Sequence, residues 1–323
     1  MKPERLARLC VILIAIGLPA LVVAARSASG GPIELHGVMA DDGGWTPGTI
    51  TAQAGQPINL RLTSDDVLHS FAIGHSDLPA VDVLPGKWTT ATLVFDLPGK
   101  YTFYCTRWCG PNHWRMRGTI EIAGDGPGAP VEAPPLYVTL KLDLDAPHYS
   151  DVVPAEKPSA ARGAQLNLAP EVVAGDYRVQ SPAQVWRQLR ERAASKSLSN
   201  QQVWDLVALA WQSNTTPDRI AAGQKLYAQN CAACHGETGQ GDGVMAASLQ
   251  KAAPSDMPGM VGHETVKPSD FTHAPNMLGA SSALLQGKII RGGMGTGMPY
   301  WGPIFTEAQI GALVDYLWTF QFE

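Results

Sequence analysis

The chain has 323 residues, and at about 150 residues per domain this length predicts two domains with some residues left over. The formal net charge is −5 and no Lys/Arg-rich run occurs, so the sequence argues against a nucleic-acid partner. Charged residues make up 16% of the chain, whereas Gly and Pro are abundant, which excludes a coiled coil or a charged disordered tail. The five cysteines are an odd number that composition alone does not explain.

An apolar, uncharged run from Leu9 to Ala25 follows three basic residues near the start of the chain. This pattern places the positive end in the cytoplasm and everything after the run on the exported side. We therefore predict a signal-anchor, transmembrane helix within residues 1–30. Small residues after the run also permit cleavage as a signal peptide, so both outcomes stay open.

Residues 31–125 alternate short β-type runs with Gly/Pro turns, which predicts an all-β sandwich. Between the last two strand-like runs, a short loop contains four residues that can bind a metal, and a fifth lies upstream at the edge of another strand. These five residues are Cys105, Cys109, His113 and Met116 in the loop and His69 upstream.

Thiols, imidazoles and a thioether form a soft set of donors, which favours copper over Mg²⁺ or Ca²⁺. Three other interpretations compete: a disulfide, a Cys₂His₂ zinc site and a blue-copper centre with one cysteine. A disulfide accounts for neither the His nor the Met spacing, zinc rarely uses a thioether, and blue copper needs one thiolate. Two thiolates four residues apart can instead bridge two coppers.

The pattern C-x-x-x-C-x-x-x-H-x-x-M after an upstream DVLHSF resembles the binuclear copper A domain of cytochrome c oxidase subunit II. The resemblance implies a cupredoxin fold in which Cys105 and Cys109 bridge two copper ions. It also implies that His69, His113 and Met116 are terminal ligands. A sixth donor in the family is a backbone carbonyl, which corresponds to that of Arg107.

The sequence departs from the family at Arg107, where many oxidase subunits have a Glu that helps to hold magnesium at the boundary with subunit I. An arginine side chain cannot bind that cation. The common subunit II has two transmembrane helices, whereas this chain offers at most one, as in single-anchor variants of the family.

Residues 126–213 are predicted to form a linker with one or more helices and little core of its own. It contains the strand-like segment 137–144 and an amphipathic helix over 198–211. That helix resembles residues 305–318. We interpret the likeness as two helices with similar faces rather than the remnant of a second haem domain.

Residues 214–323 contain the motif C-x-x-C-H, formed by Cys231, Cys234 and His235. In this motif two thiols attach a haem covalently and the histidine binds the iron. A redox C-x-x-C or half a zinc site is disfavoured, since no further cysteine follows. A Thr-Pro pair at 216–217 predicts a helix start, and Gly223 predicts a close crossing with the final helix, about 306–320.

This pairing of helices resembles class I cytochromes c, an all-α family. The family's distal loop has Met followed by Pro, so the resemblance implies Met298 as the second axial ligand of one haem c. The remaining candidates for this position are Met294, Met277, Met260, His263 and His273.

Together these features predict the electron-entry subunit of a respiratory haem–copper terminal oxidase. The chain would take electrons from an external donor and pass them through haem c and copper A to a catalytic membrane subunit that reduces O₂. It would be held by a single helix in the bacterial inner membrane with its domains in the periplasm. The alternatives are the corresponding subunit of a nitric oxide reductase and a free periplasmic electron carrier. No catalytic residues of its own are predicted.

Overall fold

The structure is a computed structural model that describes residues 31–76, 78–107, 109–110, 113–128, 133–168, 177–251, 267–293 and 297–323. The predicted membrane helix within residues 1–30 lies outside these described residues. Within the described ranges, none of the helices combines the length and the apolar character that crossing a membrane requires.

The first part of the chain is built from β-strands. Its described strands are β1 (Ile33–Gly37), β2 (Trp45–Thr46), β3 (Thr49–Gln53), β4 (Ile58–Ser64), β5 (His69–Ile73), β6 (Val81–Val83), β7 (Thr89–Leu93), β8 (Gly99–Tyr104) and β9 (Arg117–Ala123). One sheet has the order β2-β1-β4-β7 and the other has the order β3-β9-β8-β5-β6. The β1–β4 and β3–β9 pairs are parallel, whereas β8 pairs antiparallel with both β9 and β5.

The two sheets enclose an apolar core because alternate residues of each strand point inward. Leu60 and Leu62 of β4 are buried on one side, and Ile120 and Ile122 of β9 are buried on the other. Phe103 is also fully buried. The prediction of an all-β sandwich is confirmed.

The second part of the chain is helical. Its described helices are α1 (Leu136–Thr139), α2 (Ala160–Gln165), α3 (Pro182–Glu191), α4 (Asn200–Ser213), α5 (Pro217–Asn230), α6 (Ala232–His235), α7 (Ala246–Lys251), α8 (Ala274–Gly279), α9 (Ser282–Arg291) and α10 (Glu307–Trp318). Ser and Thr caps begin several of them, and Thr306 with Gln309 forms a capping box at α10.

The segment between the two predicted domains differs from the linker that the sequence suggested. Trp186 of α3 stacks on Trp204 of α4 with ring centroids 5.9 Å apart, and both lie in one hydrophobic cluster with residues of α10. Asp205 is buried and paired with Arg162 of α2 at 2.9 Å. The expectation of little core was wrong, because the apolar faces of these helices are buried against the C-terminal domain.

A local prediction in this segment was also wrong. Residues 137–144 alternate apolar and polar residues like a strand, yet they begin with the short helix α1 and no strand forms there. Tyr137 and Leu144 pack instead onto the helical core. Alternation in a short run is weak evidence, since burial by neighbouring elements decides the conformation.

Helices α5 and α10 cross closely, as the sequence predicted. A Cβ atom placed on Gly223 of α5 would lie 2.0 Å from the carbonyl oxygen of Ala312 in α10. Two helix backbones therefore meet where only a glycine leaves space. This crossing brings the end of α5, which leads into the C-x-x-C-H motif, against the final helix of the chain.

We expect Gly223→Ala to lower the thermal unfolding midpoint of the helical part, because its methyl group strikes backbone rather than a movable side chain. Overpacking of this kind costs about 1–3 kcal/mol. Gly311→Ala is the matched control on α10, since its Cβ would meet only the end of the Arg219 side chain, at 3.0 Å. An equal midpoint for both variants, measured by circular dichroism, would contradict this account of the crossing.

Candidate metal centres

The loop between β8 and β9 brings the first set of predicted ligands together. Tyr104 and Arg117 are paired across the two strands, and the Cys105 N–H donates to the Met116 carbonyl at 3.1 Å, which closes the loop. His69 begins β5, the other neighbour of β8. Sheet pairing thus places a histidine from a distant part of the sequence beside the loop.

Contacts between donor atoms connect all five side chains. Cys109 Sγ lies 4.0 Å from Cys105 Sγ, 3.4 Å from His113 Nδ1 and 3.7 Å from Met116 Sδ. Cys105 Sγ lies 4.0 Å from His69 Nδ1. All five residues are buried. The sequence prediction that they form one cluster is therefore met by the geometry.

The two cysteines of the cluster are free thiols. Their sulfurs are 4.0 Å apart, whereas a disulfide needs about 2.05 Å. A hydrogen bond from the Cys109 thiol lowers the pKa of Cys105, and His113 and His69 act in the same direction against the effect of burial. The thiolate form that binds metals is therefore favoured at Cys105.

Two residues that the sequence analysis did not single out support this cluster. Asp66 accepts a hydrogen bond from His69 Nε2 at 2.7 Å, which leaves Nδ1 facing Cys105. The Ser70 N–H donates to Cys105 Sγ at 3.4 Å. Partial burial opposes ionisation of Asp66, but the N–H groups of Met39 and Val67 and its bond to His69 lower its pKa. Asp66 is the first residue of the DVLHSF segment, three positions before its histidine, so its position in the motif was the available signal.

We expect Asp66→Asn to weaken metal binding at the cluster by about 10–100-fold, because the orientation of a histidine ligand depends on the partner of its other ring nitrogen. Asp65→Asn is the matched control: Asp65 is adjacent in sequence but pairs with His36 at the surface, at 3.0 Å. Competition with a copper chelator, followed by optical absorption, measures the difference. Equal affinities in the two variants would contradict a role for Asp66.

The donor set fits copper on its chemistry. Two thiols, two imidazoles and a thioether are soft or borderline ligands, and the carboxylate nearby, Asp66, bonds to a histidine. The Arg107 carbonyl oxygen lies 3.3 Å from Cys105 Sγ, so the expected backbone donor is also at the cluster. The Arg107 side chain turns to Asp82, forming two hydrogen bonds of 3.0 Å.

The second set of predicted residues surrounds a cavity of about 400 Å³ in the helical part. Cys231 lies at the junction of α5 and α6, and Cys234 and His235 belong to α6. All three line the cavity, together with Met298 on its distal side. A single turn of helix therefore presents both thiols and the imidazole to one space, as covalent attachment of haem requires.

His235 is oriented by a backbone group. Its Nδ1 lies 3.1 Å from the Ser269 carbonyl oxygen, so Nδ1 carries the proton and Nε2 is the nitrogen with a lone pair. The ring also stacks on Phe271, with centroids 4.6 Å apart. Burial lowers the pKa of His235, which favours the neutral ring that a metal needs.

The structure separates some of the candidates for the distal ligand. Met298 lines the cavity, and its carbonyl accepts a hydrogen bond from the Gly293 N–H at 3.1 Å, which fixes the loop. Met277 is buried in the hydrophobic cluster and His273 is exposed at the start of α8, and neither lines the cavity. The other candidates, Met294, Met260 and His263, lie outside the described residues.

Two family models match separate parts of the chain. Residues 48–123 match the family described as cytochrome c oxidase subunit II, periplasmic domain, and residues 220–321 match cytochrome c. The chain therefore joins a cytochrome c oxidase subunit II domain to a cytochrome c domain. The former implies copper and the latter haem c, in agreement with the two sets of side chains.

Relatives of the subunit II domain occur in Thermus thermophilus. Two cytochrome c oxidase subunit 2 proteins from this organism are each 36% identical to the chain over 85 residues, or 26% of it. The match spans 62% of one relative and 50% of the other. The chain thus covers less than two thirds of the length of the curated relatives it matches.

A solved structure is also similar to this part of the chain. It is the periplasmic domain of subunit II of cytochrome oxidase (CoxB) of Bradyrhizobium japonicum, at 23% identity and a TM-score of 0.23. The likeness covers 24% of this chain and 55% of that one. A score at this level supports no conclusion about function.

Proposed function

We propose that this chain is the electron-entry subunit of a haem–copper terminal oxidase. It takes electrons from an external donor and delivers them to a catalytic membrane subunit that reduces O₂. In this role its two domains face the periplasm. One observation supports the proposal most directly. A single chain has both a buried cluster of five donor side chains, two of them thiols, and a cavity lined by a C-x-x-C-H motif.

The copper-binding residues have defined roles in this proposal. Cys105 and Cys109 would hold a pair of copper ions through their thiolates, and His69 and His113 would bind them through the Nδ1 atoms that face the sulfurs. Met116 and the Arg107 carbonyl would complete the site. In the helical domain, Cys231 and Cys234 would hold one haem c covalently, and His235 and Met298 would bind its iron. When bound, the copper pair and the haem supply reversible one-electron transfer.

The surrounding residues keep both centres closed. Asp66 and the Ser269 carbonyl fix the rings of His69 and His235, so that each histidine presents one nitrogen. Burial of the copper donors and of Trp301 at the haem cavity excludes water. A closed coordination sphere suits electron transfer rather than binding of a substrate.

The test is to extract the protein gently from membranes of its native host and to identify what accompanies it. We expect a multi-helix haem subunit with O₂ reductase activity, and a two-copper mixed-valence signal in electron paramagnetic resonance (EPR). A partner that reduces nitric oxide instead would assign the chain to that class of enzyme. A chain that purifies alone, with no reductase, would contradict the proposal and favour a free carrier.

A further inference from the structure

The copper domain and the cytochrome domain are in direct contact in the described structure. On the cytochrome side the contact is the segment Tyr300–Ile304, which we call the bridging segment. The His75 N–H donates to the Ile304 carbonyl at 2.8 Å, and Arg117 Nη1 donates to the Tyr300 carbonyl at 3.0 Å. The His75 ring also bonds to the Gly302 carbonyl.

The backbones of the two domains approach closely here. A Cβ atom placed on Gly74, directly after β5, would lie 2.4 Å from the Pro303 carbonyl oxygen and 3.2 Å from the Ile304 Cα. Tyr104 at the end of β8 packs against the hydrophobic cluster of the helical part. Burial raises its pKa to about 12. The contact is therefore a packed interface and not a single hydrogen bond.

Arg117 occupies the centre of this interface. Its guanidinium carbon lies 4.9 Å from the ring centroid of Tyr300 and 5.7 Å from that of Trp301, both within cation–π range. Its Nε and Nη2 atoms are buried, and no described residue accepts a hydrogen bond from them. The aromatic rings of Tyr300 and Trp301 thus stabilise the positive charge of Arg117 through cation–π contacts. These contacts hold Arg117 against the cytochrome domain.

Short stretches of chain connect the interface to both predicted metal centres. Arg117 directly follows Met116, whose sulfur is 3.7 Å from Cys109 Sγ. On the other side, Met298, Pro299 and Trp301 line the haem cavity, and Tyr300 lies between them in sequence. Electron tunnelling slows steeply with distance and is slower across a gap than through bonded or hydrogen-bonded atoms. The hydrogen bond from Arg117 to the Tyr300 carbonyl joins these two short covalent stretches.

We propose that the bridging segment and the strand ends at Gly74–His75 and Arg117 form a fixed docking contact that carries electrons between the two domains, with Arg117 as the positioning residue. With both cofactors bound, a ferrous haem would lose one electron and become ferric, and the oxidised copper pair would gain that electron. The inferred electron transfer rests on the proposed function, which supplies the two cofactors. The docking contact between the domains does not depend on the proposed function.

The test uses the full-length chain carrying both cofactors and compares Arg117→Met, Arg117→Lys and Gly74→Ala. We expect Arg117→Met to slow electron transfer from photoreduced haem to copper by about tenfold, since losing a hydrogen bond to a charged group shifts a docking equilibrium by about that factor. Amide hydrogen exchange in residues 71–76 should become faster. Arg117→Lys, which keeps one donor, should restore part of both values.

Gly74→Ala tests the same interface from a different element, because its methyl group would push against the Pro303 backbone. Two matched controls should behave as wild type. Arg61→Met removes an arginine that stacks on Trp88 at 4.3 Å, away from the bridging segment. Gly126→Ala adds a methyl group whose nearest neighbour is 3.7 Å away.

If amide hydrogen exchange in Arg117→Met and Gly74→Ala is the same as in the wild type, the docking contact is wrong. If exchange is faster but the rate of electron transfer is unchanged, the proposed electron path through this contact is wrong. If Gly74→Ala fails to fold, the two Arg117 variants carry the test. The proposed function fails in a different way: the wild-type chain would then lack the two-copper signal, while the exchange measurement would still report on docking.

Discussion

Cys109→Ser should abolish the two-copper mixed-valence signal while the haem absorption bands stay unchanged. Cys109 Sγ contacts three of the other donor side chains, those of Cys105, His113 and Met116, so its loss affects the cluster at its centre. A serine hydroxyl is a hard donor that stays protonated near neutral pH and cannot replace a bridging thiolate. Cys231 and Met298 pack against a separate hydrophobic cluster, so the haem bands should be unaffected.

Arg107→Ala is the control for this experiment. It lies in the same loop, and its side chain pairs with Asp82 at the surface. The substitution keeps the backbone carbonyl near Cys105. We therefore expect the two-copper signal to persist. A signal that survives Cys109→Ser, or a wild-type chain that binds one metal and gives no such signal, would contradict the copper A assignment.

The sequence predicted both sites because their motifs are local. Cys105, Cys109, His113 and Met116 fall within one loop, and Cys231, Cys234 and His235 fall within one helical turn, so most of each residue set is visible without knowledge of the fold. His69 and Met298 are distant in sequence from these motifs, and the family resemblance indicated them. The five donor side chains lie together and the C-x-x-C-H residues line one cavity with Met298, whereas their binding of copper and haem stays a prediction. Gly223 predicted a close helix crossing for a similarly local reason, since a glycine inside a helix lowers stability unless a neighbouring backbone needs the space.

The features that the sequence did not predict depend on contacts between distant residues. Trp186 and Trp204 show nothing locally that places their helices in the core of the C-terminal domain. Arg117 and Tyr300 are far apart along the chain, and neither residue alone indicates that they are in contact. Asp66 was visible as part of a motif, but its bond to His69 Nε2 depends on the conformation of the turn before β5. Local patterns thus identified most of the candidate ligands. The residues that orient them, and the contact between the two domains, depend on tertiary packing.

Met298→Ala should leave the haem attached but remove its low-spin His/Met spectrum and lower its reduction potential. In the proposed site Cys231 and Cys234 would form the covalent bonds and His235 would keep the proximal position, so only the distal ligand would be lost. The loop should survive, because the Gly293 N–H bonds to the backbone carbonyl of residue 298, which alanine retains. A thioether ligand raises the potential relative to other axial ligands, so its removal should lower it.

Met277→Leu is the matched control, because Met277 is a buried methionine of the same domain that does not line the cavity. Replacing it with leucine conserves volume and should cost less than about 1.5 kcal/mol, with no change in the haem spectrum. Absorption and magnetic circular dichroism of the purified variants distinguish the two outcomes. An unchanged spectrum in Met298→Ala would show that another residue binds the iron, and Met294→Ala would then be the variant expected to lose it. A change in both Met298→Ala and Met277→Leu would indicate general disturbance of the pocket and would contradict the assignment of Met298.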